Sequence, residues 1–286
     1  MQSSTWKLLR IPFSYFLLPV FAFAVCEAPA LDIFRVLVVF SVLHLLVYPA
    51  SNGYNSYMDR DTTPIGGLAA PPPPTRQLFW VTIIMDLLAL SITTSLLGIK
   101  SAALLLLYIV TSRAYSYRGI RLKQYPFIGY LSVVLVQGCL TFWLVYATIQ
   151  PNWPAELPIL PMSIAGLLIG GFYPLTQVYQ HEADAADGVV TISRLLGIRG
   201  TFLFTALVYA VAAGLLTLHW WDEEDLLPIL ILHIGFLPVV ILFFVWMRQV
   251  WLNPSEANHV NMMRMNWVAS TCTNLIFFLT AYYHHR

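Results

Sequence analysis

Apolar residues run along this chain in long blocks broken by short polar ones. Each block is close to the 17–25 residues that a bilayer-crossing helix requires. Nine helices are predicted, at about 11–28, 33–57, 78–98, 101–118, 127–149, 157–182, 200–219, 226–250 and 264–283. The segment "TTPIGGLAAPPPPTRQ" must be a loop, because its glycines and four consecutive prolines cannot continue a helix. "QPNWPAELP" and "HWWDEEDLLP" are the other clear breaks, and no short-period repeat stands out. The fold expected is all-α: a polytopic membrane protein with about nine transmembrane helices in a single domain, 1–286.

Composition agrees. The chain is 58% hydrophobic and only 10% charged, where a soluble domain is nearer a quarter charged. A net charge of +1 and the lack of any Lys/Arg run argue against a nucleic-acid partner. Cys26, Cys139 and Cys272 are far apart in apolar runs and read as small hydrophobes, not as a disulfide or metal set. Lys7 and Arg10 before an apolar run, with "APA" at 28–30, resemble a secretory leader. Because the following chain is itself membrane-spanning, 11–28 is read instead as the first span.

Charge also sets the expected orientation. With the N-terminus in the cytoplasm, twelve of the fifteen basic residues fall inside, leaving Arg35, Lys100 and Arg286 outside. That is the positive-inside bias of an integral, multi-pass membrane protein with a cytoplasmic N-terminus. "WDEED" and the C-terminal "YYHHR" are then expected outside.

Against this background the acids are informative. Five of the fourteen sit in two short stretches at one membrane face, "NGYNSYMDRD" after the second predicted helix and "QHEADAADG" after the sixth. These are Asp59, Asp61, Glu182, Asp184 and Asp187, and the basic loop "SRAYSYRGIRLK" opens on the same face. On a helix Asn55 and Asp59 share a face, as do Gln180 and Asp184, with Asp187 one turn further. Two clusters of hard oxygen ligands suit Mg²⁺, which takes one or two carboxylates and completes its octahedron with water and phosphate oxygens. Lys and Arg nearby would hold the same phosphates, and an apolar cavity between helices would hold a greasy chain. The combination describes a site for a lipid-tailed diphosphate.

These residues resemble the UbiA superfamily of intramembrane prenyltransferases. That family carries N-x-x-x-D-x-x-x-D after its second helix and D-x-E-x-D-x-x-x-G-x-x-T after its sixth. In "QHEADAADGVVTISRLLG", Glu182, Asp184, Gly188, Thr191 and Leu196-Gly197 fall in register, and "YSYRGIRLK" looks like the family's Tyr-Ser…Arg-Leu-Lys stretch. The chain departs in two places: Thr63 stands where the first motif usually ends in Asp, with Asp61 two residues earlier, and Gln180 replaces the leading Asp of the second. The resemblance implies helices around a central cavity open to the cytoplasmic face. It implies Mg²⁺-dependent transfer of a prenyl group from a prenyl diphosphate donor to a lipophilic acceptor within the lipid bilayer. It also implies site residues. Asn55, Asp59, Asp61, Asp184 and Asp187 would hold Mg²⁺; Asn55, Arg118, Arg121, Tyr115 and Gln180 would contact substrate. Asp59, Asp184 and Lys123 would act at the leaving diphosphate. Tyr54, Tyr57 and Tyr173 would join Tyr115 around the chamber.

Other residues point elsewhere. Asp86, His44 and His233 lie inside predicted helices, and an intramembrane ionisable group is a functional candidate by default. They would be the proton path of a transporter or the polar sites of a lipid-binding scaffold, although such proteins often show paired broken helices. A terpenoid cyclase on the same fold is the third reading. His181 beside the second motif is expected to be a helix-end hydrogen bonder.

Overall fold

The computed structural model of the chain describes residues 2–222 and 225–286. Ten helices follow in order: α1 Ser3–Glu27, α2 Ile33–Asp59, α3 Arg76–Leu97, α4 Ile99–Ser116, α5 Pro126–Thr148, α6 Ile159–Leu175, α7 His181–Ala186, α8 Ile192–His219, α9 Leu227–Leu252 and α10 His259–His284. Among the described residues the one extended pairing is an isolated bridge between Ile65 and Leu68. Six helices (α1, α2, α3, α5, α8 and α9) are long and apolar enough to cross a membrane, and α6 is a shorter apolar helix. Lipid-type exposure accompanies them: Ile33, Leu37, Leu88, Leu207 and Ile241 are all exposed. Such a continuous apolar exterior marks an integral membrane protein. Of the acidic stretch after α8, Glu223 and Glu224 lie outside the described residues.

The long helices are interrupted where sequence demands it, and those interruptions build the interior. Pro49 has no N–H to donate, and α2 absorbs this with a π-turn at Val42–Val47. A second π-turn, Val134–Leu140, sits where α5 meets α6. There a Cβ on Gly138 would lie 2.6 Å from the Gly166 Cα, so both positions must stay small for the two backbones to touch. The predicted helix 157–182 is shorter than expected. It ends at Leu175, after the internal Pro174, and gives way to a turn and the separate helix α7. Helix α8 begins earlier than expected, at Ile192, capped by Thr191 and kinked at Gly197, whose φ of 70° favours glycine. Helix α1 likewise starts at Ser3 and is broken at Arg10, which has a left-handed φ of 47°.

The core is aromatic. Phe23 of α1 stacks on Phe277 of α10 with centroids 4.6 Å apart, and Phe142 of α5 closes on Phe23 at 5.1 Å. All three cysteines are free, with Cys26 buried in this core.

The intramembrane charges are accounted for by structure. Asp86 of α3 accepts from Arg113 of α4 (Nε at 2.8 Å), and that guanidinium also lies over the Tyr54 ring at 4.1 Å. His233 pairs with Thr217 across α8 and α9 at 3.2 Å, and His44 is packed among Phe21, Phe40 and Tyr48. Asp86, His233 and His44 thus have separate surroundings, an ion pair, a hydroxyl and an aromatic cluster. Removing one partner of a sheltered ion pair costs about 3–5 kcal/mol, because the other charge is stranded. Asp86→Leu should therefore lower the thermal unfolding midpoint sharply in detergent. Adding Arg113→Met should restore part of the loss; a double variant less stable than the single would refute the pairing as the cause.

Candidate functional site

Helix α2 turns polar in its last turns, from Ser51 to Asp59, and stops at Arg60 in a left-handed conformation. Asn55 and Asp59 share a face as the spacing requires, and Asn55 Nδ2 donates to Asp59 Oδ2 at 2.9 Å and to Ser116 Oγ at 3.1 Å. From the other half of the chain, the turn after α6 and the short α7 present Gln180 and Asp184. Asn55, Asp59, Asp61, Tyr115, Lys123, Gln180 and Asp184 all line one cavity of about 290 Å³. Its other walls come from mid-helix residues, among them Leu17, Tyr108, Val136, Ile169 and Phe172. The result is an acidic and basic end joined to an apolar and aromatic one.

Not every expected residue reaches the cavity. Asp187 is turned instead to Arg121, which it binds directly, and to Arg118 at 3.4 Å. Arg118 also donates to the Met58 carbonyl at 2.7 Å. The loop after α4 is thus strapped to the end of α2 and to α7, and neither arginine lines the cavity. Arg121 itself has a left-handed φ of 50°, held by these contacts. Glu182 is exposed, and His181 bonds Ser193 Oγ at 2.8 Å, as a helix-end residue would. Tyr54 and Tyr57 pack on Phe79, whereas Tyr115 and Tyr173 face the cavity with their hydroxyls in contact.

Among the cavity residues to which sequence reasoning gave no site role are Arg10, Gln177 and Asn266. Arg10 entered only the leader-like pattern and the positive-inside count. It is buried against the cavity, with guanidinium nitrogens 2.9 Å from the Gly66 carbonyl and 3.2 Å from that of Asn52, and its Nε is unpaired. Gln177 and Asn266, inside apolar stretches, also line it. A basic or amide residue one turn into an apolar helix is the signal that would have found them.

The electrostatics concern carboxylates close together in a sheltered place. Lys123 Nζ lies 2.5 Å from Asp59 Oδ2, and Arg121 is 3.9 Å from Asp59 Oδ1. Burial lifts the Asp184 carboxyl to about 6, against the lowering influence of Lys123 and Arg194 and helped by the charges of Asp59 and Asp61. Burial, then Asp59, raises Asp61 also, while Lys123 and Arg10 oppose. For Asp187 burial pushes upward, but the Arg121 hydrogen bond and the surrounding cations outweigh it and hold the carboxyl low.

A divalent cation fits this donor set. Asp59 Oδ1 and Asp184 Oδ2 are buried without a hydrogen-bond partner, and orphaned carboxylate oxygens are costly unless something positive meets them. Among the described residues no three His, Cys, Asp or Glu side chains stand close enough to cage a metal alone. Mg²⁺ takes one or two carboxylates and fills its remaining positions with water and phosphate oxygens.

Comparison with known proteins gives the same fold. Solved structures resemble the chain over nearly its whole length. A UbiA homologue from Archaeoglobus fulgidus, bound to GPP and Mg²⁺, is 17% identical with a TM-score of 0.69, covering 98% of this chain and 100% of that one. An apo UbiA homologue from Aeropyrum pernix K1 is 16% identical with a TM-score of 0.66, over 93% and 96%. A digeranylgeranylglyceryl phosphate synthase is 17% identical with a TM-score of 0.61, over 97% of each chain. No curated protein matches. The model of the UbiA prenyltransferase family matches residues 16–268, nearly the entire helical bundle and both acidic clusters, and the chain belongs to that family.

Proposed function

We propose that this protein transfers a prenyl group from a prenyl diphosphate to a lipophilic acceptor inside the membrane, using Mg²⁺. One observation carries the reading. Two acids 125 residues apart, Asp59 and Asp184, reach one cavity, each with a buried oxygen that has no hydrogen-bond partner, and that cavity also has apolar walls. The A. fulgidus homologue with bound GPP and Mg²⁺ supports it.

Mg²⁺ held by Asp59 and Asp184, with Asn55, Asp61 and Gln180 beside them, would neutralise the diphosphate and make it a better leaving group. The chain's own residues do the rest. Lys123 and Arg10 are the cationic side chains lining the cavity, and they bind the diphosphate by charge-assisted hydrogen bonds. Lys123 exchanges its contact with Asp59 for a phosphate oxygen as substrate enters. Arg118 and Arg121 act indirectly, by fixing the loop that carries Lys123. Asp187 anchors these two arginines and is assigned to that role in preference to metal binding. As the C1–O bond breaks, the allylic cation must be kept from water, and Phe172, Ile169, Tyr115 and Tyr173 wall it off. The acceptor attacks C1 and loses a proton. The positive-inside count supports a site at the cytoplasmic face. A cyclase on this fold would release a cyclised hydrocarbon with no acceptor attached, and product mass separates the two.

Asp59→Asn and Asp184→Asn should each lower kcat/KM by about 10²-fold or more while the proteins stay folded, since each removes charge at the leaving group. Asp187→Asn should cost less. Near wild-type rates in both motif variants would defeat the metal assignment. The raised carboxyl of Asp184 gives a second prediction. A group whose folded pKa is raised favours folding at low pH and loses that contribution as pH rises through about 6. A bound cation offsets that loss, so Mg²⁺ with inorganic diphosphate should raise the unfolding midpoint clearly at pH 7.5 and little at pH 5. Asp184→Asn should abolish that difference; an equal shift at both pH values would count against it. Finally, single cysteines placed at positions 70 and 190 should resist a membrane-impermeant thiol reagent applied from outside intact cells; labelling there would reverse the orientation.

A further inference from the structure

Apart from the two aspartate oxygens that a cation would meet, the cavity wall holds a buried acceptor oxygen that a prenyl diphosphate cannot satisfy. Gln177 follows α6 and is only 6% exposed. Its backbone is held on both sides: its N–H donates to the Pro174 carbonyl at 3.1 Å, and its carbonyl accepts from Gln180 N–H at 2.9 Å. The side chain is held as well. Gln177 Nε2 donates to the Tyr173 hydroxyl at 2.9 Å, and that hydroxyl touches Tyr115 OH. With the amide nitrogen committed, Oε1 is buried and has no partner. The residue lines the reaction cavity together with Tyr115 and Tyr173.

A buried amide oxygen needs a hydrogen-bond donor. Phosphate oxygens are acceptors, and a prenyl chain is hydrocarbon, so the donor substrate offers it nothing. The partner has to come from the second substrate. We infer that Gln177 is an acceptor-binding residue, and that the acceptor presents a hydroxyl or N–H group to Gln177 Oε1. The inference rests on the prenyl-transfer reading and deepens it by naming the acceptor class: an amphiphile with an O–H or N–H at its reactive end, as in a phenol, an alcohol or an amine. Acceptors whose reactive end is purely hydrocarbon are disfavoured, because they would leave the amide oxygen unpaired. Sites built to hydrogen-bond a hydroxyl reject its absence strongly.

The step balances. The prenyl C1–O bond breaks and its electron pair leaves with diphosphate. The acceptor oxygen or nitrogen, or a ring carbon activated by the hydroxyl, forms the new bond to C1. The displaced proton is taken by the released diphosphate. Gln177 is no base at this pH; it orients the acceptor and keeps it next to C1.

The test uses full-length protein in lipid nanodiscs with Mg²⁺ and geranyl or geranylgeranyl diphosphate. Acceptors are a long-chain alkylphenol, its O-methyl ether and a total membrane lipid extract, with products read by mass spectrometry. Donor affinity is measured separately with the unreactive thiolo-diphosphate. Every prenylated product is expected to derive from an O–H or N–H compound, and the methyl ether to be inert. Gln177→Leu should raise the acceptor KM about tenfold or more and leave donor Kd within about twofold. Gln177→Glu keeps an accepting oxygen and should give a lower acceptor KM than Gln177→Leu, and the unfolding midpoints of both variants check that each is folded. Equal transfer to phenol and ether would overturn the inference. So would a Leu variant that shifts donor Kd but not acceptor KM, or donor binding with no O–H or N–H compound prenylated. Failure of wild type to bind the donor would instead remove the prenyl-transfer reading, and this inference with it.

Discussion

A carboxylate in a lipid-facing bundle has two tolerable situations: a helix end that meets water, or a partner inside the protein. Everything distinctive here follows from the few acids that take the second course near the first. Asp59 is met by Lys123 and, at longer range, Arg121, while Asp187 is met by Arg121 and Arg118. These contacts tie the ends of α2 and α7 to the loop after α4, segments far apart in sequence. They also leave one oxygen each of Asp59 and Asp184 without a partner. The bundle thus arrives with most of its site charges compensated and a residue of negative potential at the cavity wall, which is what a divalent cation and its diphosphate can use.

The same economy governs the backbone. Among the described residues the three non-glycine positions with positive φ are Arg10, Arg60 and Arg121. Arg10 and Arg121 contact the walls of the site, and Arg60 follows Asp59 directly. Such conformations cost of order a kcal/mol and persist where other contacts determine them. Arg10 breaks α1 and Arg60 ends α2, whereas Arg121 precedes the short turn Leu122–Gln124 in the loop that carries Lys123. π-Turns in α2 and α5 and the kink in α8 let helices built for lipid enclose an interior with polar points. Gln177 is one such point, oriented by Tyr173 and Tyr115, and Arg10 is another.

Polarity falls away along the cavity in the order the proposed chemistry needs. Charged side chains lie where helices end, hydroxyls and amides follow, and Ile169, Phe172 and Val136 close the remainder. An allylic cation generated between these zones is near the diphosphate that stabilises it and away from water that would quench it. Asp86 and Arg113, though intramembrane, stand outside this gradient as a structural pair joining α3 to α4.

Much of this was readable from residue order. The all-helical, membrane-spanning character follows from the length of apolar runs, because a bilayer fixes that length, although six helices and not nine are long and apolar enough to span. The two acidic clusters and Lys123 were visible because charge is scarce in the chain and its placement therefore informative. Partner choice was not readable. Helical spacing puts Asp187 one turn beyond Asp184 and so among the metal ligands; in space its carboxylate meets Arg121 and Arg118, and α7, separated from α6 by the turn after Leu175, ends just before it. Arg10 looked like a basic residue flanking the first span, since only the break at its own φ brings it against the Asn52 and Gly66 carbonyls. Periodicity is a local property of one helix, and the sequence by itself determined what is local: where apolar helices run, which positions share a helix face and the inventory of charge. Which charge neutralises which, and which amide is left wanting a donor, depends on angles between helices that only the packed tertiary structure decides.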